Sequence, residues 1–237
     1  MGAEDARARL AAQASDDERR AVADVLLPNP RRAEGTPDPL PGLVRTLWYD
    51  RLLPFEAALR AGRPARRGPF ALVDPRPGWA AAGARACARV ARVAGGRALD
   101  VQHTGATAVP GLAAEDVIEV QVVVADLTTA GAVADELRAA GLVREPGRCW
   151  DRLPAGERVG KAFAAAADPG RAVDCHVRPA GSPAVARTLA FRDALRADAD
   201  LRGRYAALAR TLASSTTDVD AYAEGTSALV DEVLRGR

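Results

Sequence analysis

Both histidines of the chain sit in short apolar runs that read as strands, His103 in "DVQHTG" and His176 in "VDCHVRP". Asp174 and His176 are two residues apart, so on a strand they share a face. Glu119, in "DVIEVQVVVAD", shares a face with Gln121, while Asp116 would point the other way. After His103 come Thr104, Gly105 and Thr107, with the glycine supplying the permissive backbone that a tight turn needs. If these strands are neighbours, cross-strand partners lie about 5 Å apart. His103, Gly105, Thr107, Glu119, Asp174 and His176 would then meet at one sheet edge. Such a cluster would take an anion through turn amides more readily than two metal ions, because Glu119 and Asp174 are its only carboxylate donors. Arg178 and Lys161, the only lysine, would add positive charge for a phosphate. Plainer roles stay open beside these: hydrogen-bonded packing for the histidines and solvated surface charge for Arg178 and Lys161. In "FRDALR", Asp193 and Arg196 are spaced as a helix-surface pair, with Phe191 packing inward.

The elements that must position these residues divide into two unequal parts. Residues Glu4 to Ala14 read as a helix. Ser15 and Glu18 form a capping-box signature for the helix of "SDDERRAVADVLL". "PNPRRAEGTPDPLPG" reads as a loop, and "LVRTLWYDRLLPFEAALRAG" as helix that Pro54 kinks or divides. "RPARRGP" reads as a linker. The part up to about Gly68, a few helices and one short strand, offers too little to bury a good core alone.

The second part is fuller. "WAAAGARACARVARVAG" and "TTAGAVADELRAAG" read as helices, the latter closed by Gly141. "ALDVQHTG", "DVIEVQVVVAD", "RVGKAFAAA" and "RAVDCHVRP" read as strands, and "LVRE" as a further extended segment. The last third reads as three helices. Strands mixed with a terminal excess of helix predict an α/β (α+β) fold, a mixed sheet covered by helices.

Composition narrows the function. A net charge of +2 gives no argument for a nucleic-acid partner or an anionic membrane. No apolar run reaches the length of about 18 residues that spans a bilayer. Cys87, Cys149 and Cys175 are scattered, without the spacing of a zinc site or disulfide framework. The charged, helical start is the opposite of a signal peptide, so a cytoplasmic protein is expected.

Two resemblances then enter. "HTGATAVPGLAAEDVIEVQV" resembles the GrpB-family signature, in which His-Ile-Gly-Ser-Thr-Ala-Val-Pro-Gly-Leu precedes an Asp-bearing strand. "DPGRAVDCHVR", "FRDALR" and Tyr205 fall where that family has later motifs. This likeness covers about Phe70 to Arg237. "AEDARARLAAQASDDERRAVADVLLPN" resembles the C-terminal end of dephospho-CoA kinases. The whole therefore resembles the C-terminal portion of a kinase–GrpB fusion of actinobacterial type, with residues 1–68 the kinase remnant plus linker and 69–237 the GrpB-like domain.

The GrpB resemblance implies a nucleotidyltransferase-like fold. There a strand ends in a Gly-Ser turn that holds a triphosphate, and the next strand offers two carboxylates at i and i+2 to Mg²⁺. Here Gly105 is kept and Ala106 stands for the serine, leaving Thr104 and Thr107 as partial substitutes. Gln121 stands where a second carboxylate would be, so a further one would come from Asp174. Ala209 and Thr226 stand where the resemblance leads one to expect lysine.

The kinase resemblance implies ATP and Mg²⁺ as cofactors of a full-length enzyme. A P-loop needs Gly-x-x-x-x-Gly-Lys-Ser/Thr to ring phosphates with backbone amides and place a metal-bound hydroxyl. "GERVGKA", Gly156 to Ala162, is one residue short between glycines and ends on alanine. Two expectations follow. One is a stability or regulatory module, inactive alone, for a kinase domain in cis or trans. The other is a stand-alone protein that binds a nucleotide or phosphate ligand.

Overall fold

Eight residues, "VIEVQVVV", lay down the strand on which the fold is arranged. The structure, a computed structural model, describes residues 2–29 and 37–235. It divides into two units, Met1–Arg45 and Thr46–Arg237.

In the first unit, α1 (Ala3–Ala11) and α2 (Asp16–Val22) form where helix was expected, α1 ending short of Ala14. The Ser15 hydroxyl accepts from the Glu18 N–H at 3.2 Å, and the Glu18 carboxylate accepts from the Ser15 N–H at 2.7 Å. Two amides that a helix start leaves orphaned are thereby satisfied. No strand forms over residues 23–29. The expected Pro28–Gly42 loop lies partly outside the described residues, and its last three residues begin α3 (Leu40–Leu47).

From Thr46 the second unit continues that helix through a π turn, Trp48–Leu52, into α4 (Leu53–Arg60). Pro54, at the start of α4, has no N–H to give an α-helical bond, and the wide turn before it accommodates the loss without ending the helix. The segment that reads as a linker is tied down. Ala65 N–H donates to Ala166 O at 2.9 Å, and Arg67 forms an ion pair with Asp174. Arg51 grips Asp168 with Nε at 2.8 Å and Nη2 at 2.6 Å.

The body is a five-stranded mixed sheet in the order β1-β2-β7-β6-β3. Its strands are β1 (Asp100–Thr104), β2 (Val117–Val124), β3 (Leu142–Arg144), β6 (Ala162–Ala166) and β7 (Ala172–Pro179). β2 and β7 pair in parallel and the other neighbours antiparallel. Alternation assigns the faces. Ile118, Val120, Val122 and Val124 join Val173, Cys175 and Val177 beneath α5 (Trp79–Ala94) and α6 (Leu127–Glu136), where all are buried. Each fully buried valine there contributes about 1.5–3 kcal/mol. The intervening residues of β2 and β7, Glu119, Gln121, Asp174, His176 and Arg178, form the opposite, polar face. "RVGKAFAAA" is not one strand. β5 (Arg158–Gly160) pairs with β4 (Trp150–Arg152) in a separate hairpin, and β6 joins the main sheet after Lys161. The C-terminal third is three helices as expected, α7 (Pro183–Ala197), α8 (Ala199–Ser215) and α9 (Val219–Arg235), with a second core around Leu112, Leu195, Tyr205 and Ala209.

The Arg51–Asp168 pair, with side chains 18% and 24% exposed, fixes the π turn that leads into α4 to the sheet within the second unit. Arg51→Ala is expected to lower unfolding free energy by about 1.5–3 kcal/mol, as loss of charged hydrogen bonds does. Arg60→Ala, which removes an exposed pair with Glu56, is expected to change it by less than about 0.5 kcal/mol. Urea unfolding of both variants measures the contrast, and equal effects would show that α4 is not part of the folded unit.

Candidate functional site

β1 ends at Thr104 and the chain turns at Gly105, whose φ of +71° favours glycine. A Cβ at Gly105 would also collide with the Glu119 carboxylate. The glycine is therefore needed for the turn, and its missing Cβ leaves the space that the Glu119 carboxylate occupies. Parallel pairing sets Glu119 beside Asp174 and Gln121 beside His176. Over this polar face lies a cavity of about 380 Å³, closed from the other side by residues of α7–α9 such as Phe191, Tyr205 and Tyr222.

The structure brings six of the sequence-derived candidates to this cavity: Gly105, Thr107, Glu119, Asp174, His176 and Arg178. Lys161 reaches it from beneath through His176. Its Nζ donates to His176 Nδ1 at 2.8 Å and to Asp151 Oδ1 at 2.7 Å. Because Nδ1 accepts, the neutral imidazole carries its proton on Nε2. Burial, then the charges of Arg178 and Lys161, hold the His176 pKa well below its ordinary value.

His103 does not join them, which corrects the expected cluster. It pairs with Val120 across β1–β2 and therefore projects to the α5 face, where a Cβ at Gly83 would strike its ring. Its Nε2 lies 3.0 Å from Thr107 Oγ1, and that hydroxyl donates to Val117 O at 3.0 Å. Burial, then Arg196 and Arg192, lower the His103 pKa to about 4, so it is a neutral donor at pH 7. The geometry gives it the packing role. Thr104 is buried, with its hydroxyl 3.5 Å from Glu119 O, and does not line the cavity. The two threonines do not turn free hydroxyls toward a ligand in place of the missing serine.

Two residues that sequence reasoning passed over organise the charge. Asp151, on β4, accepts from Arg178 Nε at 2.7 Å and Nη2 at 2.9 Å as well as from Lys161. Burial pushes its pKa up, but the bonds and charge of Arg178, followed by Lys161, hold it below the usual value. Arg178 gives its remaining Nη1 to Gln121 Oε1 at 2.6 Å. Glu115 is the second omission. It lines the cavity with Glu119, and neither carboxylate accepts a hydrogen bond among the described residues. Nothing in "GLAAED" marks Glu115, because its place depends on a loop.

These arrangements limit the chemistry. Both oxygens of Asp174 face Arg67, and Arg148 stands 3.5 Å from one of them. Glu119 has Gln121 as its same-face neighbour on β2, and Gln121 is held by Arg178. This donor set does not fit the paired carboxylates that share Mg²⁺. No group of three or more potential ligands suited to a metal occurs among the described residues. Arg178 and Lys161 are likewise engaged with Asp151, so neither is a free phosphate cation.

Burial, reinforced by Asp174, raises the Glu119 pKa from 4.5 to about 6. The folded state then binds its proton more tightly than the unfolded chain, so this group withdraws stability as pH rises from 4.5 to 6. Glu119→Gln removes the titration. Its stability relative to wild type should rise across that interval and level off above it. Urea unfolding at pH 4, 5, 6 and 7.5 checks this, and a difference independent of pH would show an ordinary, hydrated carboxylate.

Residues 69–236 match the family described as GrpB protein. The chain is 38% identical over 240 residues to a dephospho-CoA kinase of Mycolicibacterium paratuberculosis, covering 94% of this chain and 58% of that protein. It is 40% identical over 227 residues to the dephospho-CoA kinase of Mycobacterium leprae, covering 87% and 54%. It thus spans about half the length of these curated relatives. A UPF0157 protein of Streptomyces coelicolor is 39% identical over 139 residues, 57% of this chain and 67% of that one. Among solved structures, GrpB from Enterococcus faecalis superposes with a TM-score of 0.56 at 21% identity, covering 70% of this chain and 96% of its own. The sheet, its covering helices and the span of the match agree: the chain belongs to the GrpB family.

Proposed function

We propose that this chain serves the last step of coenzyme A biosynthesis, the ATP-dependent phosphorylation of dephospho-CoA, as the GrpB-bearing portion of a kinase. In this reading it is a module that stabilises or regulates the kinase and does not itself transfer phosphate. The observation that carries the reading is the internal neutralisation of the polar face. Asp174 is paired with Arg67, and Asp151 with Arg178 and Lys161, so the groups that would hold a metal or a triphosphate are engaged with each other. The names of the mycobacterial relatives support the link to the kinase.

The P-loop-like "GERVGKA" gives no contrary support. Lys161 follows β5, is buried, and directs its ammonium to Asp151 and His176, where a phosphate-binding lysine would need to reach a ligand. Phosphate in the Glu119 cavity is also disfavoured, because Glu115 and Glu119 stand there and neither carboxylate accepts a hydrogen bond among the described residues.

The purified chain, free of host kinase, should form no coenzyme A from dephospho-CoA, ATP and Mg²⁺. Added to the kinase portion of the Mycolicibacterium paratuberculosis relative, it should raise that portion's Tm by a few degrees, as a partner that binds only the folded state does. Coenzyme A formed by the chain alone would overturn the non-catalytic role. An unchanged Tm and an unchanged rate in its presence would overturn the accessory role.

A further inference from the structure

On the other side of the Thr107–Gly111 turn from the Glu119 cavity, a groove of about 1050 Å³ runs between the start of α5, β1 and the α7–α8 corner. Its charged lining is of one sign. Arg76, Arg192, Arg196 and Arg202 face it, and no carboxylate does. Arg76 is paired with Asp116 at 2.6 Å. Arg192 is buried and engages Asp193 with two nitrogens at 2.8 and 3.1 Å. The other two arginines are held by main-chain carbonyls. Arg196 donates Nε and Nη2 to Ala108 O at 2.9 and 2.7 Å, and Arg202 donates Nη1 to Leu195 O at 3.0 Å. The carboxylate nearest Arg196, Asp193 at 3.6 Å, is the one already gripped by Arg192. Arg202 has no ion pair among the described residues.

Arg192 and Arg196 are also four apart on α7, a spacing at which like charges repel by about 0.2–0.5 kcal/mol. Burial and the charge of Arg192 lower the Arg196 pKa, the mark of two guanidiniums crowded together. The start of α5 adds to the same field. Gly78 caps it without a side-chain bond and its first turn carries no acid; the Trp79 N–H is taken by Arg76 O at 3.1 Å, and the next residue, Ala80, lines the groove. Free amides at a helix start favour an anion.

We propose that this groove binds a phosphate- or pyrophosphate-bearing small molecule, with Arg196 and Arg202 as its direct partners and Arg192 behind them. Arg202 has no carboxylate partner among the described residues and Arg196 only shares Asp193 with Arg192, so the two guanidiniums match the double charge of a phosphate better than the single charge of a carboxylate. The volume lies just above the usual range for small-molecule sites, about 300–1,000 Å³, so a nucleotide fits where a bare ion would leave space. Pro77, Ala84, Val101, Val109 and Pro110 give the remainder of such a ligand an apolar wall. The site is separate from the Glu119 cavity, and it stands whether or not the kinase assignment does.

Isothermal titration of the 237-residue chain with inorganic pyrophosphate and with ADP, both without Mg²⁺, tests it. Both should bind, ADP the more tightly if the apolar wall takes up the nucleoside. Arg202→Gln should weaken both at least about tenfold, as loss of a charge-assisted contact does. Arg202 bonds main-chain carbonyls and its loss strands no carboxylate, so circular dichroism should show the native fold with a modest drop in Tm; Arg76→Gln, at an exposed side chain lining the groove, gives a second reading and should also weaken binding. Arg210→Ala, exposed and outside the groove, should bind as wild type. Absence of binding by either compound at millimolar concentration would overturn the proposal. So would undiminished binding in correctly folded Arg202→Gln, or retention of single-stranded RNA with neither small anion bound.

Discussion

Arg178 donates through Nε and Nη2 to Asp151, and this one ion pair ties the β4–β5 hairpin to the polar face of the sheet. The other groups on that face take their state from it. Lys161 shares Asp151 and turns its second bond to His176, which fixes the imidazole as neutral with its proton on Nε2. Gln121 occupies the last free corner of the guanidinium. Removing one partner of such a buried pair leaves an uncompensated charge, which costs about 3–5 kcal/mol. An open, ligand-seeking set of cations would be arranged differently.

The parallel pairing of β2 with β7 decides which groups meet. It sets a carboxylate against a carboxylate, Glu119 beside Asp174, which would be unfavourable if both stayed ionised and unpaired. Arg67, from the segment before the family match, offsets the charge of Asp174, and burial, together with the repulsion that remains, raises the pKa of Glu119. Residues 46–68 thus contribute to the GrpB-like body, although the family match begins at residue 69. The linings of the two cavities on either side of the 107–111 turn differ in sign. Glu115 and Glu119, whose carboxyls accept no hydrogen bond among the described residues, lie on one side, and an arginine-lined groove on the other.

Much of this was legible in the residues. Alternation put Glu119 and Gln121 on one face of their strand and Asp174 and His176 on one face of theirs, as the structure has them, and Ser15 with Glu18 marked a helix start. Gly141, at φ +78°, ends its segment where expected. The placement of His103 was not legible. Its face depends on the parity of register between β1 and β2, and one residue of slip reverses it. Asp151 and Arg67 act across long sequence separations, so no local spacing signals them. The division of "RVGKAFAAA" at Lys161 was hidden for a related reason: strand propensity does not say which sheet a strand joins.

The charges of the polar face are committed to one another. A double-mutant cycle on Asp151→Ala and Arg178→Ala, read by urea unfolding, measures that commitment. A coupling energy on the order of 2 kcal/mol is expected for a buried, bidentate pair. A coupling within about 0.5 kcal/mol of zero would show instead that the two residues act independently, leaving Arg178 available to a ligand and contradicting the account.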